Sequence, residues 1–400
     1  MQPSHPNERA FRRDAATILI LALAPAAGVG IARFAYSLLL PDMRQSLGWT
    51  YAAAGFMNTI NAAGYLAGAL VAAATLRRVG QFRTIFYGSL ACVTALALSA
   101  VSSNFLVLSL MRLVAGVGGA VAFVGGGVAA AQSSQHHPKR AAFLLSLYYI
   151  GPGLGILVSG IVTPLLLADL GPGSWWIAWG MLAAISAIFC LALATVRLED
   201  VEDGAQMASL PLRLWPMAVL LVSYCLFSIG SIAYMTFMIA WLGDAGAGAV
   251  VQSAFWSLLG LGGICSPLLW SWVVARLRGG NAIALLSMIT FIVAMLALLV
   301  HVRTLQFASA FGFGSVFFAV VAGTTVFVRR NLPPAAWASG VSAMTVSFGL
   351  GQTIGPVFSG AITDASGSLS LGLQLSTALL ALAAVLALFQ RDLAPPAATR

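Results

Sequence analysis

Residues 104–131 read NFLVLSLMRLVAGVGGAVAFVGGGVAAA, and a single residue in this stretch, Arg112, carries a charge. A helix crosses the hydrocarbon core of a bilayer with about 20 mostly apolar residues, so this stretch is long enough to span one. Similar runs fill nearly the whole chain of 400 residues, 60% of which are hydrophobic and 8% charged. A soluble domain carries about 25% charged residues, and no water-exposed surface can be built from so few. Breaks marked by Gly, Pro and polar residues divide the chain into spans at 15–40, 50–76, 82–102, 104–131, 141–168 and 174–196. A second set follows at 215–242, 248–275, 281–302, 305–328, 335–363 and 368–390. The reading is an all-α membrane protein of twelve transmembrane helices.

The charges orient these spans, because Lys and Arg collect in short cytoplasmic loops. Sixteen of the 20 basic residues fall at the two termini or in the even-numbered connections, near 77–83, 139–140, 197–213, 276–278 and 329–330, whereas only Arg44 and Arg303 lie opposite. Both termini are therefore expected in the cytoplasm of a bacterial inner (plasma) membrane. Arg12, Arg13 and the small residues around Pro25 imitate a secretory signal, but the apolar run continues to Leu40, too long for a signal core. The formal charge of +9 serves topology, since nucleic-acid binding needs basic residues gathered on one accessible face.

The polar segment 197–214, RLEDVEDGAQMASLPLRL, reads as a cytoplasmic linker between two six-helix bundles, 15–196 and 215–390, flanked by tails at 1–14 and 391–400. An offset of 200 superposes Gly30 on Gly230, Arg78 on Arg278, and Gly151, Gly155, Ser159 and Gly160 on Gly351, Gly355, Ser359 and Gly360. Internal repeats of this kind are common in secondary transporters.

Further motifs make the chain resemble the major facilitator superfamily over essentially its full length. Arg112-Leu-Val-Ala-Gly116-Val-Gly118 matches the RxxxGxG pattern of that superfamily's fourth helix. Gly151-Pro152-Gly153-Leu154-Gly155 is similar to the GPxxG motif that bends the fifth, with Gly355-Pro356 as its counterpart in the eleventh. Arg77-Arg78-Val79-Gly80 resembles the DRxGR loop with Arg77 in place of the aspartate, a departure at the latch between the halves. Gly30-Ile31-Ala32-Arg33-Phe34-Ala35-Tyr36 together with Gly64-Tyr65-Leu66-Ala67-Gly68 is similar to the bacterial YbfB-like branch. The resemblance implies alternating access and a monomeric carrier of small molecules whose first and fourth helices line a central cavity.

Ionisable groups inside a membrane are costly and mark function. Two stand out. Arg33 lies eight residues before Pro41 and Arg112 eight residues after Asn104, so both sit roughly 12 Å below the same ends of their spans. The eleven acids are confined to termini, linker or span ends, which leaves both guanidiniums without an internal counter-ion. Guanidinium binds carboxylate or phosphate bidentately, so a small organic anion, a carboxylate, is expected between Arg33 and Arg112. Tyr36, Asn58, Asn61, Tyr65, Tyr234, Trp256, Phe311, Phe317 and Gln352 are candidates for the rest of the binding site, with interhelical bonding or packing as the plainer role for each. Asp42, at the mouth, is a candidate proton gate, and Arg78, Gly151, Pro152, Gly155, Gly355 and Pro356 are candidate conformational positions.

The glycine-rich patches lack the strand and the Lys-Ser/Thr ending of a phosphate loop. No nucleophile triad, HExxH motif or paired carboxylates occur, and Cys92, Cys190, Cys225 and Cys265 lack metal or disulfide spacing. An enzyme, a cofactor, a metal and a nucleic-acid partner are thus all unexpected. The alternatives to anion transport are proton-coupled efflux of amphipathic drugs or metabolites and a membrane ligand sensor that moves nothing.

Overall fold

The computed structural model describes residues 6–137, 140–196, 214–300, 302–333 and 336–393. The expected linker, apart from Leu214, and the ends of both tails lie outside the described residues. The helices are α1 (Glu8–Leu47), α2 (Tyr51–Val79), α3 (Gln81–Ser99), α4 (Phe105–Gln135), α5 (Phe143–Leu170) and α6 (Trp175–Leu193). They continue as α7 (Trp215–Asp244), α8 (Ala249–Arg276), α9 (Asn281–Leu299), α10 (Arg303–Asn331), α11 (Trp337–Ser366) and α12 (Leu369–Leu388). Eleven of them are long and apolar enough to cross a membrane; α11, of 30 residues, is the more polar one. Its three threonine hydroxyls turn back to its own backbone: Thr345 donates to Val341 O, Thr353 to Gly349 O and Thr363 to Ser359 O, at 2.8–2.9 Å. Such back-bonding removes much of the cost of hydroxyls in a bundle.

Local sequence explains where the helices begin. The Asn104 side chain accepts from Leu106 N and Val107 N and starts α4, and Thr50 accepts from Ala53 N to start α2. Gly48, at φ 67°, ends α1 in the left-handed conformation that glycine adopts without strain. Within the expected 1–14 tail the described residues are already helical, running from Pro6 into α1. Asp14 accepts at 3.0 Å from His137 and Arg140 donates to Glu8 at 3.1 Å, which holds this first segment against the α4–α5 turn.

Helix crossings repeat along the chain. A Cβ on Gly64 would strike the Leu113 carbonyl and one on Gly116 the Asn61 carbonyl, so α2 and α4 touch backbone to backbone. Gly262 against Phe311 O and Gly314 against Leu259 O make the same crossing between α8 and α10, with every partner 198 residues later. Likewise Gly151 and Gly155 of α5 face the carbonyls of Ala22 and Ala26, while Gly351 and Gly355 of α11 face those of Cys225 and Ile229. From α1 to α7 the shift is therefore 203, whereas from α5 to α11 it is 200. Unequal connections forbid a single offset, and the pairing of Gly30 with Gly230 fails for that reason. Gly30 rests on Gly155 of α5, but Gly230 faces Ser376 O of α12. By the shift of 198 between α2 and α8, Arg78, exposed in the last turn of α2, corresponds to Arg276 and not Arg278.

Candidate functional site

The central site is built on an irregular piece of α1. From Ala26 to Phe34 this helix is π-helical, and it returns to α-helix at Tyr36. Single wide turns of this kind are rare and concentrate at functional positions. Small residues allow it: a Cβ on Gly28 would lie 2.7 Å from the Cα of Gly119, and one on Gly30 2.6 Å from Pro152 O. The Gly-Pro motif of α5 thus cradles the segment that carries Arg33. Helix α5 itself is interrupted at Ile150, just before Gly151 and Pro152, as a proline after a glycine should cause.

Arg112 reaches from α4 into the junction where α1 changes pitch. Its Nε donates to Met57 O at 3.2 Å, Nη1 to Ala32 O, and Nη2 to Arg33 O at 3.1 Å and to the Asn58 Oδ1 at 2.8 Å. The Tyr36 ring lies 4.8 Å from its Cζ, and the Tyr36 hydroxyl donates to Ala54 O at 2.8 Å. The Asn61 amide donates to Arg112 O at 2.8 Å, which ties α2 to the same turn of α4. Four of the five guanidinium hydrogens being thus directed to protein acceptors, Arg112 fastens α1, α2 and α4 together.

Arg33 is placed differently. Its guanidinium donates to the Gln352 amide oxygen on α11, across the two halves of the chain. The rings of Tyr65 and Phe34 lie 4.6 and 5.6 Å from its Cζ. Stacking on a ring engages the face of a guanidinium and leaves its edge donors free to bond. Arg33 and Arg112 are both buried, and among the described residues no ion pair involves either.

Not all expected residues join this group. Tyr234 stacks on Phe313 at 4.3 Å with its hydroxyl 3.4 Å from Ser309, within the second half of the chain. Trp256 is fully buried where α8 crosses α5 at Gly160. Asp42 accepts from Gly173 N at 2.6 Å and Trp175 N at 2.9 Å, so both its oxygens cap the start of α6. Gly355 and Pro356 lie at crossings of α11 with α7 and α2, and α11 runs unbroken through them.

The end of the bundle opposite the termini is closed. Asp364 accepts from Tyr51 N at 2.9 Å and Ala52 N at 2.8 Å, and the Tyr51 hydroxyl donates to Asp244 at 3.1 Å. Deeper in, the Asn58 amide donates to Thr236 at 2.9 Å and Thr59 to Thr353 O at 2.7 Å.

A family of transporters described as "Uncharacterised MFS-type transporter YbfB" matches residues 25–388, a range that includes all of this machinery. The chain belongs to that family. Solved structures agree on the fold of the transporter. A bacterial homolog of the human lysosomal transporter Spinster, inward-facing and occupied, shares 14% identity at TM-score 0.71, over 96% of this chain and 98% of that one. The nucleoside transporter NupG gives 16% and 0.72 over 92% and 98%, and a D-xylose–proton symporter 13% and 0.69 over 94% and 97%. No curated protein matches the chain by sequence.

Three residues of the candidate site are not singled out in the sequence. Thr236, the partner of Asn58, is an ordinary hydroxyl within an apolar span. Phe34 was visible only as part of a motif. Asp364 could have been found, because it is an isolated acid at a span end and span ends need caps.

Proposed function

We propose that this transporter carries small organic anions by alternating access of two six-helix halves, 15–196 and 215–390, in a bacterial inner membrane. The observation that carries the reading is Arg33: a buried cation between the halves whose bonded partner is the neutral Gln352 amide. A carboxylate offers the same edge a second oxygen and a compensating charge, and charge-assisted bonds are roughly twice as strong as neutral ones. Exchange of Gln352 for substrate would also couple binding to the contact between the halves, as alternating access requires. Arg112 in this reading is a positioning residue that holds the α1 turn, and Asp42 is a helix cap.

Helix α11 counts as the twelfth span, since it is 30 residues long, lies among spans, and most of its polar groups bond its own backbone or neighbouring helices. The basic residues described at the terminal end, Arg77, Arg78, Arg83, Arg140, Arg276, Arg278, Arg329, Arg330 and Arg391, support cytoplasmic termini. Closure at the opposite end then corresponds to a transporter shut toward the outside. Efflux of a cationic drug fits less well, because the cation would meet an uncompensated like charge.

Counterflow into proteoliposomes tests the proposal. Labelled small carboxylates should exchange faster than neutral or cationic analogues of equal size, and Arg33→Gln should abolish the difference. Exchange of carboxylates at the wild-type rate by Arg33→Gln, or exclusive exchange of cations, would overturn it.

A further inference from the structure

Beside Gln352, the second-half partner of Arg33, the same half of the chain carries a cluster of rings that a bare anion site has no use for. Helix α7 contributes Tyr224 and Phe227, three residues apart and stacked at 6.2 Å. Helix α10 contributes Phe317, whose ring lies 6.0 Å from Phe227 and 6.1 Å from Phe348 of α11. Phe348 in turn stacks on Tyr224 at 4.9 Å. These four rings form one closed group made by three helices.

Two contacts join that group to the arginine. Phe34, next to Arg33 in the chain, meets Phe317 edge to face at 6.4 Å and so bridges the halves. Phe348 lies four residues before Gln352, hence on the same face of α11 one turn away, about 5.4 Å along the axis. The acceptor that Arg33 now bonds and the nearest ring of the wall are thus separated by a single helical turn. Phe348 and Tyr65 also keep part of their surface accessible, whereas Phe34, Phe227 and Phe317 are buried.

From this juxtaposition we infer that the substrate is an aromatic carboxylate, with its carboxylate on the edge of Arg33 and its ring, directly attached or one or two carbons away, against Phe348 and Phe317. The inference rests on the anion reading above and adds the ring. Each part of the ligand replaces a contact that the closed protein makes with itself. The carboxylate takes the place of the Gln352 amide, and the ring takes the place of the Phe34–Phe317 contact across the halves. Aromatic pairs prefer offset or edge-to-face geometry, and rings supplied by three helices at mixed angles offer both to a flat guest. A saturated ring of similar volume fills the same space without that electrostatic match. A longer aliphatic acid instead spends rotamer entropy on binding.

Ligand-induced thermal stabilisation of the purified full chain tests the inference, with benzoate, phenylacetate, cyclohexanecarboxylate, hexanoate and benzamide as probes. The aryl carboxylates should give half-maximal stabilisation at concentrations about three- to tenfold below cyclohexanecarboxylate, the range expected from one to two aromatic contacts. Phe317→Leu and Phe348→Leu should bring the ratio of aryl to saturated acid close to one, whatever they do to the affinity for both, and a cooperative melting transition without ligand shows that the variants are folded. Arg33→Gln should lose all the acids. Equal binding of benzoate and cyclohexanecarboxylate by wild-type protein would overturn the aromatic inference and leave the anion reading intact. Benzamide binding as well as benzoate, unaffected by Arg33→Gln, would overturn the anion reading and with it this inference.

Discussion

Two arginines with the same charge and the same burial should respond differently to removal of that charge. Methionine at either position keeps most of the length and apolar volume of the side chain and removes the guanidinium. In Arg112→Met four hydrogen bonds disappear, to Met57 O, Ala32 O, Arg33 O and Asn58 Oδ1, and three of the abandoned acceptors are backbone carbonyls of buried helices. Interhelical bonds inside bilayers average about 0.6 kcal/mol, so the loss comes to about 2–3 kcal/mol. For a unit the size of residues 15–196 that corresponds to a fall of roughly 5–10 °C in melting temperature. In Arg33→Met a single bond to Gln352 is lost, together with the stacking on Tyr65 and Phe34, so the relief of a buried charge, which both variants share, is opposed by fewer lost contacts. These terms oppose one another, because taking an ion out of water costs several kcal/mol. The melting temperature of Arg33→Met should therefore stay within a few degrees of wild type while carboxylate binding is lost. Melting curves of the two variants in detergent, each with and without ligand, supply the comparison. Wild-type melting by Arg112→Met, or equal destabilisation by both, would refute the division into a brace and a binding group.

Asp364→Asn weakens the link between α11 and the start of α2 by removing the charge that two backbone N–H groups share, a contact worth about 1 kcal/mol. In a background without the four native cysteines, a cysteine at Ala240, buried near the same end of α7, should then react several-fold faster with a polar thiol reagent; an unchanged rate would separate Asp364 from closure. Gly116→Val places a branched side chain where even a Cβ strikes the Asn61 carbonyl, so α2 and α4 must part and drag Asn61 away from Arg112. Loss of folded protein in size-exclusion chromatography is the expected outcome, whereas Gly127→Val, whose Cβ would meet only the Tyr148 ring at 3.5 Å, should purify normally.

Much of this fold is legible in one dimension because the bilayer imposes rules on one dimension. Span length follows from membrane thickness and orientation from charge, and neither depends on which helices touch. Eleven of the twelve expected spans are long and apolar enough to cross a membrane, all but the first within a few residues of their expected places, and the twelfth, α11, forms as a helix despite its hydroxyls. The first helix begins earlier than the apolar run because Glu8 and Asp14 find partners in the α4–α5 turn, a contact between segments more than 120 residues apart. No local pattern announces it.

Arg33 and Arg112 were conspicuous in the sequence for a physical reason: charge is so rare in a span that each instance demands an explanation. Their different roles were not visible, since depth along a helix axis says nothing about direction around it. The amino-acid sequence by itself determined a membrane protein of helical spans, the family motifs and two buried cations without a counter-ion nearby in the chain. Only the tertiary structure decided that α1 widens into a π-helix at Arg33, that backbone carbonyls at its end capture Arg112, and that Gln352 of the other half bonds Arg33 while Phe317 of that half meets the neighbouring Phe34. Those outcomes depend on how closely glycines let separate helices approach, and that distance is set between segments and not within any one of them.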